Sequence, residues 1–310
     1  MRVVILASRS GWHTDQLLTA LTERGHVAAL ARYEDLVAAV SGDTTITGGA
    51  ADLSRADLAL ARIIPNGSLE QIVFRVDALH TLEEQGIRVV NSARVIERTV
   101  DKFWTSAILQ REGLPTPATI VCESIDAAYQ ARVQLGGDVI VKPLFGSMGL
   151  GMVRVSDDET AFRVFRAIET IRGVFYLQRT IDHDGRDIRA FVIGGRVAAA
   201  IERRSAGWRT NLARGGEARA LTLPASWADL AVRAAEAVGA EYAGVDLLPA
   251  KDGSLYVLEV NGIPGWEGLQ RATGVHSPCR PHATAGWPSS GRNSGWSRRA
   301  SRMTARVSGL

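Results

Sequence analysis

The sequence predicts an α/β chain of two or three domains, and three observations carry that prediction. In the first ninety-odd residues, short apolar strands alternate with amphipathic helices that stop on glycine. Further on, two apolar strands flank a glycine-rich loop, and nearer the C-terminus two more flank an Asp-Gly turn signal. A chain of 310 residues, 46% hydrophobic and 22% charged, can bury a large core without staples.

Taken in order, residues 2–8 (RVVILAS) form a strand, 15–25 (DQLLTALTERG) a helix and 26–32 (HVAALAR) a second strand. Residues 56–64 (ADLALARII) and 88–91 (RVVN) are further strands, separated by the helix-like 69–86 (LEQIVFRVDALHTLEEQG). Strand–helix alternation implies a small parallel sheet with crossover helices. The turn after the first strand, SRSGWHT, has one glycine, which argues against a dinucleotide site. Val100, Phe103, Trp104, Ala107 and Ile108 recur at helical spacing, and Gly113, Pro115 and Pro117 end that helix.

The loop from Lys142 to Gly151 joins strand DVIVK to strand GMVRV. Gly146, Gly149 and Gly151 free its backbone to curl, so that exposed amides can cradle phosphate oxygens. It is not a Walker loop, because the lysine precedes the glycines and a strand follows. Lys142 closes its strand and aims a cation at such a phosphate; the alternative is a flexible hairpin.

Residues 244–261 (GVDLLPAKDGSLYVLEVN) form a hairpin about Asp252-Gly253. With those residues at the turn centre, Asp246 falls opposite Glu259, and Asn261 shares the face of Glu259. Facing carboxylates are destabilising unless a cation sits between them, and a small set of hard oxygen donors suits magnesium. The alternative is a solvated polar face. Between the two motifs lies an arginine-dense stretch in which Arg203, Arg209 and Arg214 are candidate anion holders, whereas Arg186, Arg196 and Arg204 are read as solvated. Gln178 is read as a purine hinge or a surface residue.

Other chemistries are disfavoured. Cys122 and Cys279 form no CxxC pair, which excludes a disulfide scaffold or thiolate zinc site and fits a reducing, cytoplasmic setting. His13, His26, His80 and His183 lack metal-ligand spacing, and Ser8 and Ser10 lack a nucleophile elbow. No apolar run approaches the ~18 residues of a membrane span. The formal charge is +3 overall, but residues 275–310 alone carry six arginines and no acid, leaving −3 for residues 1–274. The body therefore has no nucleic-acid signature.

In combination, VVNSARVIERTVDKFWTSAILQREGLPTP, VIVKPLFGSMGLGM, DIRAFVIGG, RTN with RGG, and GVDLL with LEVNGIPGWEGL resemble the ATP-grasp superfamily, specifically the RimK-like α-L-glutamate ligases. The resemblance implies a Rossmann-like pre-ATP-grasp domain over residues 1–97 and an ATP-grasp domain over 98–274, divided into 98–182 and a metal-bearing 183–274. It implies ATP as the nucleotide. Lys102 and Lys142 would contact its phosphates, with the loop of Gly146, Ser147, Gly149 and Gly151 above them. Gln178 and Arg179 would form the adenine hinge, Asp187 would meet the ribose, and Arg209, Thr210 and Asn211 would lie near the phosphates. Asp246, Glu259 and Asn261 would hold Mg2+ or Mn2+. Arg203 and Arg214 would steady an acyl phosphate or a carboxylate.

The family's chemistry activates a carboxylate as an acyl phosphate, which the amine of glutamate attacks. Within the family the acceptor is a pterin cofactor such as tetrahydromethanopterin, another γ-glutamyl or N-acyl acceptor, or a ribosomal protein tail. Residues 61–86 resemble the cofactor-modifying branch. Oligomeric state is left open. After Gly274, where the family continues with an amphipathic helix, the Arg-, Ser-, Gly- and Pro-rich segment 275–310 has no periodicity and is expected to be disordered. It is either a basic tail for an anionic partner or the product of a shifted reading frame; the scarcity of lysine (Lys102, Lys142 and Lys251) favours the second. A nucleotide-binding protein without turnover is the corresponding alternative function.

Overall fold

The computed structural model describes residues 1–146, 149–205 and 217–274. Its N-terminal part comprises β1 (Arg2–Ala7), α1 (Trp12–Glu23), β2 (Val27–Arg32), β3 (Leu36–Ser41), β4 (Asp43–Gly48), β5 (Ala51–Asp52), β6 (Leu58–Ala61), α2 (Leu69–Glu84) and β7 (Arg88–Val90). Strands β2, β1, β6 and β7 lie side by side in that order, all parallel. Parallel neighbours require crossover connections, which bring α1 and α2 into this part of the chain. A capping box starts α2: the Ser68 hydroxyl accepts from the Gln71 N–H at 3.2 Å, and the Gln71 side chain accepts from the Ser68 N–H at 3.0 Å.

The antiparallel sheet β3-β4-β5 is a feature the sequence reading passed over. In β3 only Leu36 is buried, and the following Val-Ala-Ala-Val has no apolar–polar alternation to announce a strand.

The helix expected through Val100 and Ile108 is two helices, α3 (Ala93–Val100) and α4 (Lys102–Arg111). Asp101 breaks them and caps the second, its Oδ1 accepting from the Trp104 N–H at 3.0 Å. The break leaves Val100 and Phe103 exposed, while Ile108 and Leu109 are buried. The apolar stripe predicted for one continuous helix is therefore wrong at its first two positions.

Next come β8 (Thr119–Cys122), α5 (Ile125–Gln134), β9 (Val139–Lys142), β10 (Val153–Val155), α6 (Asp158–Thr170) and β11 (Phe175–Arg179). They form an antiparallel sheet in the order β10-β9-β11-β8, whose core joins Val139, Val141 and Leu177 to Phe165 and Phe175. The glycine loop does join strand to strand, as expected. The C-terminal part comprises β12 (Arg186–Ile193), β13 (Arg196–Arg204), β14 (Glu217–Ala220), α7 (Ala225–Val238), β15 (Tyr242–Pro249), β16 (Leu255–Asn261) and α8 (Glu267–Thr273). Its antiparallel sheet runs β14-β13-β12-β15-β16. Ile188, Val245 and Val260 of this sheet pack with Ile108 of α4 and Leu230 of α7. Phe191 and Ile201, with Trp266 and Leu269, meet Val3, Ile5 and Leu17 of the N-terminal part.

One buried amide ties these parts together. Asn91 Oδ1 accepts from the backbone N–H groups of Glu241 and Tyr242 at 2.8 and 3.4 Å. Its Nδ2 donates to the carbonyls of Tyr242 and Gly262 at 2.8 and 2.6 Å. Among the described residues no helix is long and apolar enough to cross a membrane. Ser147, Arg209, Thr210, Asn211, Arg214 and the segment from residue 275 lie outside the described residues, so the expectations placed on them stay as stated.

Candidate active site

A cleft with about 990 Å3 of empty space, its open mouth included, lies between the β10-β9-β11-β8 sheet and the β14-β13-β12-β15-β16 sheet. One wall is built from Ile140, Lys142, Gln178 and Arg179 of β9 and β11, and the other from Asp187, Asp246, Leu248, Leu258 and Glu259 of β12, β15 and β16. Lys102, from the first residue of α4, closes one side with Gly146 and Gly149 of the glycine loop. The structure thus gathers Lys102, Lys142, Gly146, Gly149, Gln178, Arg179, Asp187, Asp246 and Glu259 around one space. Gly151 and Asn261 are not among the residues that line it. Gly151 instead supports the loop: its φ is +74°, and a Cβ there would come within 2.8 Å of Pro143.

Asp246 and Glu259 are direct partners on β15 and β16, as predicted, but the route to that pairing differs. Next to the turn the partners are Leu247–Val257, Leu248–Tyr256 and Pro249–Leu255, and the Ala250 N–H donates to Ser254 O at 2.8 Å. The turn is therefore centred on Asp252, one residue longer than the assumed two-residue centre. An irregularity between Asp246 and Leu247 takes up the extra residue on β16 and restores the Asp246–Glu259 pair. Leu258 and Glu259, adjacent at this bulge, both line the cleft.

In this structure arginines from the neighbouring strands β12 and β13 stand against Asp246. Arg189, the in-register partner of Asp246 on β12, reaches it with Nε on Oδ1 and Nη2 on Oδ2, the latter at 2.7 Å. Arg203 Nη2 lies 3.0 Å from Oδ2. Burial alone would raise the Asp246 pKa; Arg189 and Arg203 reverse it and hold the carboxyl below its ordinary value. Gly244, beside this pair, matters through space: a Cβ there would meet the Arg189 guanidinium and Pro264, each at 3.0 Å.

Arg203 is also bound by Asp187, which accepts from its Nε and Nη2 at 2.6 Å each; both side chains are buried. Burial opposes the Arg203 cation, and Asp246 and Asp187 outweigh it, so its pKa is raised. The carboxylate expected at the ribose and the arginine expected on a substrate anion are thus bound to each other. Arg186 and Arg204, read as solvated, pair with Glu202.

The Glu259 side chain makes no hydrogen bond or ion pair among the described residues, and its charge faces Lys102 and Lys142. An ionised carboxylate has about four lone-pair directions. Among the described residues none of those of Glu259 is taken, and Asp246 keeps one on Oδ1. Asn261 Oδ1 accepts from the Ile263 N–H at 2.9 Å and has a second lone pair. Hard oxygen donors with so few open positions fit Mg2+, which keeps waters and phosphate oxygens in its shell. Among the described residues no group of three or more His, Cys, Asp or Glu gathers as a metal cluster.

Lys102 Nζ donates to the Gly146 and Leu144 carbonyls at 2.8 and 3.4 Å, anchoring the start of the loop. Burial lowers its pKa, with Glu259 and Asp101 opposing. Lys142 is buried at the end of β9, and desolvation lowers its pKa from 10.5 to about 8 against the pull of Glu259. Its Nζ donates to Gln178 Oε1 at 2.5 Å. Gln178 Nε2 donates to Thr119 Oγ1 at 3.1 Å and to the Tyr176 hydroxyl at 3.4 Å. Both ends of the side chain expected at the purine are therefore engaged within the protein. His183, set aside in the sequence reading, lines the cleft beside Asp187, and burial lowers its pKa. Sequence reasoning also missed Arg189, whose partner is brought to it only by long-range strand pairing.

The family model described as the RimK-like ATP-grasp domain matches residues 99–279. The tetrahydromethanopterin:alpha-L-glutamate ligase of Methanosarcina acetivorans is 32% identical, with 88% of this chain and 94% of that protein covered. The "Probable alpha-L-glutamate ligase" of Enterobacter sp. strain 638 is 34% identical, with coverage of 93% and 98%. Among solved structures, the ATP-grasp ligase PsnB complexed with a phosphomimetic variant of its minimal precursor, Mg and ADP superposes with a TM-score of 0.70 at 22% identity, covering 89% of this chain and 94% of that one. A RimK domain ATP-grasp protein from Sphaerobacter thermophilus gives 0.69 at 24% identity, covering 87% and 95%. These two share the fold.

Proposed function

The chain belongs to the RimK-like ATP-grasp family of ligases, and from that premise we propose that it uses ATP to join glutamate through its amine to a carboxylate acceptor. The observation that carries this reading is the juxtaposition of Asp246 and Glu259, paired on β15 and β16, with Lys102 and Lys142 across one cleft. Two acids and two ammonium groups around one space match a nucleotide phosphate chain and its counter-ion.

In this reading residues 1–97 form one unit, and 98–274 form the ligase proper. Lys142 and Lys102 bind phosphate oxygens. Glu259, Asp246 and Asn261 would hold Mg2+, which when bound neutralises phosphate charge and makes the terminal phosphorus a better electrophile. The acceptor carboxylate attacks that phosphorus and ADP leaves; the glutamate amine then attacks the acyl carbon of the acyl phosphate, the C–O bond to phosphate breaks as the C–N bond forms, and the amine proton departs with the phosphate to leave an amide. Gly146 and Gly149 hold the loop over the cleft, where exclusion of water protects the activated acid. Arg203, fixed by Asp187, keeps Asp246 ionised at the cleft floor.

Kinship with the tetrahydromethanopterin ligases favours a cofactor carboxylate as the acceptor. The test is incubation with ATP, Mg2+, glutamate and candidate acceptors, read by mass spectrometry for a glutamyl increment and by phosphate release. Release that requires both acceptor and glutamate is expected, with Glu259→Gln losing it while circular dichroism is unchanged. Unaltered turnover of Glu259→Gln would overturn the metal-site assignment, and nucleotide binding with no ligation of any acceptor would favour a module without turnover.

A further inference from the structure

We propose that Arg62 and Arg75 form a second anion subsite, at the edge of the N-terminal parallel sheet, which holds a substrate carboxylate other than the one that is activated. The inference rests on the ligase reading of the cleft and extends it to two side chains that do not line that cleft.

Three arginines are buried among the described residues: Arg62, Arg75 and Arg203. Arg203 has Asp187 and Asp246 against it. Arg62 and Arg75 make no ion pair among the described residues; the partners they have are neutral. A buried guanidinium keeps its proton, and without an anion its burial is costly.

Those neutral partners hold each guanidinium in place and leave most of its donors over. Arg62 Nη2 donates to Pro264 O at 3.0 Å and Nη1 to the Tyr242 hydroxyl at 3.3 Å, with the guanidinium carbon 4.9 Å from the centre of the Trp266 ring. Arg75 Nη1 donates to Pro65 O at 2.8 Å. Arg62 Nε and Arg75 Nε and Nη2 have no partner among the described residues. They are not sealed either, unlike Arg98 Nε and Arg132 Nε, which are both fully buried and unpartnered. Two fixed forks with open N–H groups suit a carboxylate.

Their place in the fold is where a ligand is expected. Arg62 directly follows β6, and its N–H donates to Leu6 O of β1 at 2.8 Å. In the order β2-β1-β6-β7, the crossovers from β1 and β6 leave in opposite directions, and open α/β sheets take ligands in the crevice this makes at the C-terminal strand ends. Arg75 reaches the same crevice from α2, through Pro65. Both charges act on the buried Tyr33 hydroxyl: burial and Tyr242 push its pKa up, and Arg62 and Arg75 pull it down. His13, at the start of α1, also faces Arg62; burial and then Arg62 lower its pKa, with Glu267 opposing. Glu267 is itself paired with Arg271.

The crevice is also tied to the cleft. Pro264, whose carbonyl Arg62 holds, is three positions after Asn261, a reach of at most about 10 Å along the chain. A substrate with one carboxylate at the candidate metal site can therefore present another to Arg62 and Arg75.

The experiment compares wild type with Arg75→Gln and Arg75→Lys, each checked for folding by circular dichroism, without nucleotide and at constant ionic strength. Glutarate, a dicarboxylate with no amine, and glutamate are titrated calorimetrically. Arg75→Gln is expected to weaken at least one of them about tenfold, and Arg75→Lys, which keeps the charge but not the fork, by less. Glutarate is then titrated again with glutamate saturating. Binding that persists and still depends on Arg75 assigns the subsite to the acceptor; displacement by glutamate assigns it to glutamate. A structural arginine would shift the unfolding midpoint and leave both affinities alone, and that result, or the absence of carboxylate binding in wild type, would overturn the proposal. ATP titrated in parallel separates the two readings. Arg75-dependent carboxylate binding in a protein that does not bind ATP leaves the subsite standing and ends the ligase reading. ATP binding and a glutamyl increment with carboxylate affinity indifferent to Arg75 do the reverse.

Discussion

Lys142→Met is the perturbation whose consequence the structure fixes most sharply. The buried ammonium titrates near 8 in the folded chain, against 10.5 when solvated. Between those values the unfolded chain holds a proton that the folded chain has released, so unfolding free energy rises with pH across the interval. At 1.36 kcal/mol per pH unit the whole interval corresponds to about 3 kcal/mol, of which about 2 kcal/mol accrues between pH 8 and pH 9.5. Below pH 8 the charged lysine destabilises the fold by the full amount. Methionine removes that charge but leaves Gln178 Oε1 without a donor, which costs about 1–3 kcal/mol, so at pH 7 the variant should equal or modestly exceed wild type in stability. The measurement is urea unfolding of both proteins, without nucleotide, at pH 7 and pH 9.5. The stability of wild type relative to the variant should rise by about 2 kcal/mol between the two. A difference that stays constant, or a wild type that loses ground as pH rises, would refute the reasoning that Lys142 is charged and desolvated at neutral pH.

Two further substitutions test how the site is held. Asp187→Asn removes the carboxylate that grips Arg203 through both Nε and Nη2 and leaves a buried guanidinium with Asp246 as its remaining anion; chemical unfolding should show a loss of about 3 kcal/mol, and a loss under about 1 kcal/mol would mean that solvent already reaches the pair. Asn91→Ala leaves two N–H groups and two carbonyls without their partner, and should lower stability by about 3 kcal/mol in thermal or urea unfolding, with little change if water takes the place of the amide.

How far the site was legible depends on how local its determinants are. The pairing of Asp246 with Glu259 rests on a hairpin, and the sequence placed the two acids together because a turn one residue longer than assumed and a bulge at Leu258 offset one another. The glycine loop and Lys142 were legible for the same local reason. Arg189 was not, because its partner Asp246 lies across the long-range pairing of β12 with β15, and nothing near Arg189 in sequence distinguishes it from Arg186, which pairs with Glu202. The partners of Gln178 were equally hidden: Lys142 and Thr119 reach it from other strands. Helical periodicity located α4 but could not show that Asp101 would break the run and turn Phe103 outward. The β3 strand escaped because four small or β-branched apolar residues in succession carry no period at all.

The amide of Asn91 has a consequence for how the polypeptide matures on the ribosome. The residue emerges early, yet the groups it bonds belong to Glu241, Tyr242 and Gly262, some 150 to 171 positions later in the chain. Until those are made, the nascent N-terminal sheet holds a side chain whose permanent partners do not exist, and it keeps that side chain wet or borrows transient contacts. Completion of the last strand is therefore the event that seals the first sheet. A nascent chain stalled before Gly262 should remain open to protease at residues 88–92, and one extended past it should be protected there.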